Sequence, residues 1–323
     1  MIAPRSSDSL LRRGLKLSHL RLLAALGEAG QLTQAAAAIG VTQPAASRLV
    51  AEIERIIGHP VHERTGRGIG LTAIGRALAT RSARVRMELD DAARDLAEIS
   101  TGGVGHVRIG AVTGPALDRV LPALHSENLR HPNVTVEVVV SPSDLLCEQL
   151  LSGRLDFAVG RLPDGLQGEV LAFSAMESEP VALIARHGHP LLRKPDPLRA
   201  AQLMAYDWVM PGPDSLLTRT VLARLQRLGL PRPTQRVFTA SFLLTLALLQ
   251  QSDAIAAVSL ASARQFASGA AAGFDLLPID LGIAVEPYGM ITRERVSLPP
   301  TSQRLCDLIR QAVPPEELRA AIA

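Results

Sequence analysis

The sequence predicts an α/β protein in two parts, a basic helical head and a long alternating body. Three observations carry this. Residues 17–58 hold three amphipathic helical segments, the last two joined by the short turn Gly40-Val41-Thr42. From Val85 to Ile99 apolar residues recur at spacings of 4, 3, 4 and 3, the period of a coiled-coil seam. From His106 onward strand-like runs alternate with helical ones, in the βαβαβ order of a parallel, doubly wound sheet.

The first helix is expected over Ser18–Ala29, with Ser18 as its cap, Leu20, Leu23 and Leu26 at helical spacing, and Gly30 as its stop. Thr33 is placed to cap a second helix, Gln34–Ile39, whose run of alanines permits close crossing. Thr42 caps a third, Gln43–Ile57, with Pro44 in the first turn, where its missing N–H does no harm. Its buried stripe is expected to be Ala46, Leu49, Ile53 and Ile57. A generic bundle would show a solvated Glu/Lys mixture on its outer face. Here the exposed start of the third helix carries Gln43, Ser47 and Arg48, which favours a helix-turn-helix that binds DNA.

After Gly58, three glycines and two arginines within residues 64–70 predict a tight β-hairpin. A basic hairpin beside a helix-turn-helix is a wing, with Arg64 and Arg67 in reach of phosphate or the minor groove. Thr72 then caps a long helix over 73–99, whose seam is better suited to a second copy than to the body of the same chain. Thr101-Gly102-Gly103-Val104-Gly105 is a hinge.

In the body, strands are expected at His106–Val112, Val134–Val140 (β-branched and buried on both faces), Asp156–Arg161, Pro180–Ala185, Trp208–Met210, Ala254–Val258, Phe274–Pro278 and Tyr288–Thr292. Helices are expected at Pro115–His131, Asp144–Leu151 with Ser143 as cap, Ser215–Leu228, Ser241–Gln250 and Ser302–Val313.

Composition narrows the function classes. The net charge of +3 hides a polarity: residues 1–86 balance to +8, residues 87–100 to −4 and residues 101–323 to −1. A basic head on a near-neutral body fits a polyanionic partner. No stretch approaches the roughly 18 apolar residues of a membrane helix. No apolar core precedes the arginines of the first 17 residues, so a cleaved secretory signal is not expected. Cys147 and Cys306 are too few and too far apart for a disulfide framework and fit a reducing cytoplasm. Gly102, Gly103 and Gly105 precede a strand, whereas a dinucleotide fingerprint needs them between strand and helix. His59/His62 and His187/His189 lie on turns without a third ligand nearby, so structural roles are expected. No catalytic constellation, metal site or cofactor loop is expected.

These residues resemble the LysR-type family of bacterial transcription regulators. The likeness is specific in the head: Gln34-Ala35-Ala36, Thr42-Gln43-Pro44-Ala45-Ala46-Ser47-Arg48, Glu63-Arg64-Thr65-Gly66-Arg67 and Leu71-Thr72-Ala73-Ile74-Gly75. It continues more loosely through Ser152-Gly153-Arg154-Leu155-Asp156-Phe157-Ala158-Val159-Gly160 and His189-Pro190-Leu191. The resemblance implies a winged helix-turn-helix over 1–72 and a dimerising linker helix over 73–100. It also implies a periplasmic-binding-protein-like effector domain over 106–323. That domain would have two α/β subdomains, one from about 106–162 and 267–323, the other from about 163–266, with passages near Arg161–Asp164 and Ala263–Gly269. Val61-His62 stands where the family has Leu-Phe, so the wing is expected to seat less firmly.

The expected chemistry follows. Gln43 and Arg48 read base edges; Thr33, Thr42 and Ser47 hold phosphates; Pro44 meets a thymine methyl; Gln34 belongs to the same DNA-binding set. A small effector lies between the subdomains, near Thr113, Gly114, Ser143, Arg161, Met210, Ser215 and Ser241. For each hydroxyl, helix capping is the competing role, and for Arg161 it is bridging the subdomains. The segments around Val112–Ala116 and Met210–Ser215 look like the branch regulating sugar uptake and aromatic-acid catabolism, so the effector would be a monosaccharide or a small carboxylate. Double-stranded promoter DNA, RNA polymerase and a second or fourth copy of the chain are the implied partners, with no membrane. Competing classes are a ligand-independent architectural DNA-binding protein and a solute-binding α/β protein with an accessory helical head.

Overall fold

A computed structural model describes residues 7–65, 68–101, 105–130, 133–163, 170–193, 197–267 and 273–312. The chain divides into two compact units, residues 1–104 and 105–323.

The first unit contains α1 (Ser7–Arg12), α2 (Leu17–Ala29), α3 (Leu32–Ala38), α4 (Gln43–Ile57), the strands β1 (His62–Thr65) and β2 (Gly68–Leu71), and α5 (Ala73–Thr101). Its core joins Leu22, Leu23 and Leu26 to Ala35 and Ala36 and to Ala46, Val50 and Ile53. Alanines at the α3 crossing let the helices approach closely. Two expected caps are displaced. Lys16, not Ser18, is the residue before α2, and the His19 ring nitrogen Nδ1 accepts the Lys16 N–H (3.1 Å). Gln31, not Thr33, precedes α3, because Leu32 enters the core and draws the helix start back. The buried residues of α4 are Ala46, Val50, Ile53 and Ile56, with Leu49 and Ile57 half-buried at the margin, so the stripe is rotated slightly from the expected one.

β1 and β2 pair antiparallel, His62 with Leu71 through Thr65 with Gly68, as the wing reading required. Thr72 caps α5 by accepting the Gly75 N–H at 3.0 Å. α5 packs on α2 at Gly27, where an added Cβ would lie 2.9 Å from that of Ala79. The seam residues Val85, Leu89 and Leu96 are exposed, at 41%, 48% and 70%.

The second unit is built on a mixed nine-stranded sheet in the order β4-β3-β5-β11-β6-β9-β7-β8, with β10 paired to β6. In one half, β3 (His106–Ala111) runs parallel to β4 (Thr135–Val140) and to β5 (Phe157–Gly160). In the other, β7 (Trp208–Met210) runs parallel to β8 (Val237–Phe238) and to β9 (Ile255–Ser259). Two strands antiparallel to their neighbours join the halves: β6 (Leu171–Arg186) and β11 (Ala284–Arg293). The parallel expectation therefore holds within each half and fails at the junction. At about 3.3 Å per residue, a 16-residue strand spans roughly 50 Å, enough to serve both halves.

Each half has its own core. Val107, Ile109, Phe157, Met290, Leu305 and Ile309 fill the first; Leu183, Trp208, Val221, Ile255, Leu277 and Leu281 fill the second. This moves the expected passages. The outward one is β6 itself, and the return is β11: β10 (Phe274–Leu276) still pairs with the far end of β6, and Leu277, Leu281 and Ile283 still lie in the second core. A return near Ala263–Gly269 would strip the second half of those residues. Gly289 marks where the joining strands meet, since an added Cβ would lie 2.2 Å from the Ser174 carbonyl oxygen.

Two further expectations change. β4 is an edge strand with Val138 and Val140 exposed, not buried on both faces, because β-branched residues report fit to a pleated surface and not the number of neighbours. The predicted helix Pro115–His131 is broken into α6 (Thr113–Pro115), a π-helical turn (Ala116–Val120) and α7 (Leu121–Arg130). The remaining helices are α8 (Ser143–Leu151), α9 (Ala200–Leu203), α10 (Leu216–Arg227), α11 (Phe242–Gln250), α12 (Leu260–Ala267) and α13 (Pro300–Gln311), with a 3-10 turn at Pro190–Arg193.

Candidate nucleic-acid interface and subdomain junction

Thr33 and Gln34 of α3, Thr42 before α4, and Gln43, Pro44, Ser47 and Arg48 in its first turns are all exposed. Neither Thr42 nor a residue before α3 makes a side-chain cap, so these polar groups are left outward. The opposite face of α4 is spent on structure. Glu52 accepts from His19 Nε2 (3.1 Å), a ring that is 1% exposed. Glu54 anchors the wing: its Oε1 accepts the Val61 N–H (2.9 Å), the His62 Nδ1–H (2.8 Å) and the His62 N–H (3.4 Å). Burial alone would raise the Glu54 carboxyl; the Val61 and His62 hydrogen bonds and the His62 charge outweigh it and hold the carboxyl below its usual range. Gly75 completes the joint, because an added Cβ would lie 2.0 Å from the Val61 carbonyl oxygen.

Two features mark the joint around His62. A cavity of about 90 Å³ remains between wing and helices, lined by Leu26, Leu32, Ser47, Val50, His62 and Leu71 among others. A polar clamp on Glu54 seats the wing in its place. Arg64 is on β1; its side chain and the whole of Arg67 lie outside the described residues.

The second cluster lies where the halves of the other unit meet. Arg161, just after β5, donates from Nη2 to Glu179 Oε2 on β6 (2.7 Å) and from Nε to the Glu286 carbonyl on β11 (2.8 Å). Its N–H donates to Ser143 Oγ at 3.0 Å. On the π-helical turn, Arg119 donates to the Tyr288 hydroxyl (3.2 Å) and pairs with the Glu177 carboxylate and the Ala312 carbonyl. Burial opposes the Arg119 charge, but Glu177 and Tyr288 more than restore it; burial pushes the Tyr288 hydroxyl up. Asp118 is also pushed up, by burial first and then by the charges of Glu177 and Glu179, against the pull of Arg119 and Arg264. Arg264 of α12 has its Nη1 and Nη2 buried without a hydrogen-bond partner.

The comparisons decide the family. Residues 17–76 match the model for the bacterial regulatory helix-turn-helix protein of the lysR family, and residues 100–314 match the LysR substrate binding domain. The chain belongs to the LysR family. It is 39% identical over 245 residues to the transcriptional regulator GbpR of Rhizobium radiobacter, covering 75% of this chain and 81% of that one. It is 33% identical over 302 residues to GbpR of Azospirillum brasilense, covering 94% and 88%. In fold it is similar to the LysR regulator CbnR in complex with its target DNA, at TM-score 0.62 and 21% identity over 93% of this chain and all of that one. A full-length OxyR variant of Pseudomonas aeruginosa gives a TM-score of 0.64 at 20% identity, covering 92% and 95%.

This LysR-type transcriptional regulator therefore has a helix-turn-helix DNA-binding domain and an effector-binding domain. Not every hydroxyl marked from sequence turns toward the junction. Ser215 caps α10 by accepting the Thr218 N–H (3.1 Å), and Ser241 caps α11 through Leu244 (3.3 Å). Met210 is 1% exposed and packs in the second core. Thr113 and Gly114 open α6, and Ser143 and Arg161 meet each other. Asp118, Arg119, Glu177, Glu179, Arg264 and Tyr288 were missed. The alternation Glu177-Ser178-Glu179 in a strand was the available signal, since residues two apart share a face. Among the described residues no His/Cys/Asp/Glu group is arranged to hold a metal, and no helix is long and apolar enough to cross a membrane.

Proposed function

We propose that this regulator reads promoter DNA in the cytoplasm through the outward face of α3 and α4, as a dimer or tetramer joined along α5, and answers to a small polar effector held between its two subdomains. The observation that carries the reading is the seven-residue exposed face Thr33, Gln34, Thr42, Gln43, Pro44, Ser47 and Arg48, gathered at the starts of two crossed helices. Gln43 and Arg48 contact base edges, Gln preferring adenine and Arg guanine, while the hydroxyls fix register on phosphates. Arg64 and Arg67 extend the contact to the backbone. The seam exposed on α5 supplies the partner surface, so two heads bind a dyad-symmetric site. RNA polymerase is the downstream partner.

The test is operator selection from random duplexes followed by anisotropy titrations. Arg48→Ala is expected to lose about 1–3 kcal/mol and to relax preference at one base position. An Arg48→Ala protein with full affinity and unchanged sequence preference overturns the assignment of the reading helix.

A further inference from the structure

We infer that Glu179 is a tethered carboxylate that fills the anion position of the subdomain junction and so restricts this regulator to an uncharged, hydroxyl-bearing effector. This rests on the reading that the effector binds between the subdomains. Arg161 is the fork an acidic effector would seek there, and it is already engaged, by Glu179 Oε2 at 2.7 Å and the Glu286 carbonyl at 2.8 Å. Both side chains of the ion pair are only 14% exposed, so water screens the pair weakly. The other carboxylate oxygen rests on Gly114: an added Cβ would lie 1.8 Å from Glu179 Oε1, so the absence of a side chain is what admits the carboxylate.

Arg119 is likewise taken up, by Glu177 and Tyr288. A further charged pair lies beside these networks. Arg264 has two buried, unpartnered nitrogens, and Asp118, within its electrostatic reach, offers carboxyl oxygens. An acid placed at Arg264 would face Asp118, with Glu177 and Glu179 close enough to act on the same carboxyl. A hydroxyl can accept from a guanidinium and donate to a carboxylate, so an uncharged ligand adds no charge to the field of Asp118 and Arg264. An acid at Arg161 must instead displace a carboxylate tethered on the same chain, whose effective concentration is millimolar or above.

The experiment uses the full chain, with thermal unfolding and calorimetric titration. The acid probes are acetate, succinate and benzoate; the uncharged probes are D-glucose, D-galactose and L-arabinose. Wild type is expected to respond to an uncharged probe and to no acid at about 10 mM. Glu179→Gln keeps the shape, removes the charge, and is expected to bind at least one acid about tenfold or more tighter than wild type. Adding Arg161→Gln to it removes the gain. Gly114→Ala, which expels the carboxylate by contact, is expected to reproduce the gain and covers the case of an unstable Glu179→Gln. Wild type binding acids as tightly as Glu179→Gln, or no gain in either variant, overturns the filter. If wild type and Glu179→Gln take up acids alike, only the filter falls. If no acid and no sugar moves any of these proteins, the inter-subdomain effector site falls with it.

Discussion

Replacing Glu54 by Ala removes the acceptor that seats the wing. Three donors converge on its Oε1, two of them within 2.9 Å. Val61 is fully buried, so its N–H loses its partner with no water to replace it. An unsatisfied buried donor costs about 1–3 kcal/mol, and a hydrogen bond to a charged group contributes about 1.5–3 kcal/mol. The Glu54 side chain is 25% exposed, which discounts the charged share, and we expect a loss of about 2 kcal/mol localised at the hairpin. Native-state hydrogen exchange reads it directly: the Val61 and His62 amides should exchange about 30-fold faster, while amides of β3 and β5 stay unchanged. The pH dependence has a fixed sign. The folded carboxyl lies below its unfolded range, so its contribution is present above about pH 4.3 and is lost as pH falls through the folded value. Glu54→Ala should flatten that acid limb. Unchanged exchange at Val61, or an unaltered acid limb, would refute the clamp.

Leu89→Arg with Leu96→Arg on the exposed α5 seam should reduce the assembly to a smaller species in analytical ultracentrifugation; an unchanged sedimentation coefficient excludes the seam. Gly289→Ala forces a Cβ to 2.2 Å from the Ser174 carbonyl and should lower Tm by several degrees; a shift within error would mean the joining strands separate freely there. Cys147 and Cys306 are buried with thiols pushed up to about 11, mainly by burial, so about a thousandth of each is thiolate at pH 8 and both should label only on unfolding; rapid labelling of the native protein contradicts their burial.

The head was far more legible in the sequence than the junction, for a physical reason. α4 came out at Gln43–Ile57 because a proline, a stop glycine and helical spacing all act locally. The hairpin followed from glycines within a few residues of each other. The caps at Ser18 and Thr33 failed because His19, accepting the Lys16 N–H, fixes the start of α2, and core Leu32 draws back the start of α3. At the junction nothing is local. Arg161 meets Glu179 across 18 residues and Glu286 across 125, and Arg119 meets Tyr288 across 169. Hydroxyl residues next to helix starts looked equally fit for capping and for ligands, and the structure shows the capping role at Ser215 and Ser241. The long first half of β6 was missed because its polar alternation, Ser174 to Glu179, lacks the apolar run of a buried strand.

The same two strands that carry the chain between subdomains also carry the charges that fill the junction. Glu177 and Glu179 are two apart on β6 and so share a face, one held by Arg119 and the other by Arg161, both from the first subdomain. Tyr288 and Glu286 on β11 complete the two networks. Arg264, from the helix following β9 of the second subdomain, has two buried nitrogens without a hydrogen-bond partner. On the proposed reading, an effector that satisfied it would gain contacts with the second subdomain while touching groups held by the first. The angle between subdomains is then biased by no more than the effector's difference in affinity for the two arrangements. An uncharged ligand moves that balance by making hydrogen bonds; an acid would first have to break an ion pair that joins the first subdomain to β6, and much of its binding would go into that break instead of into the signal.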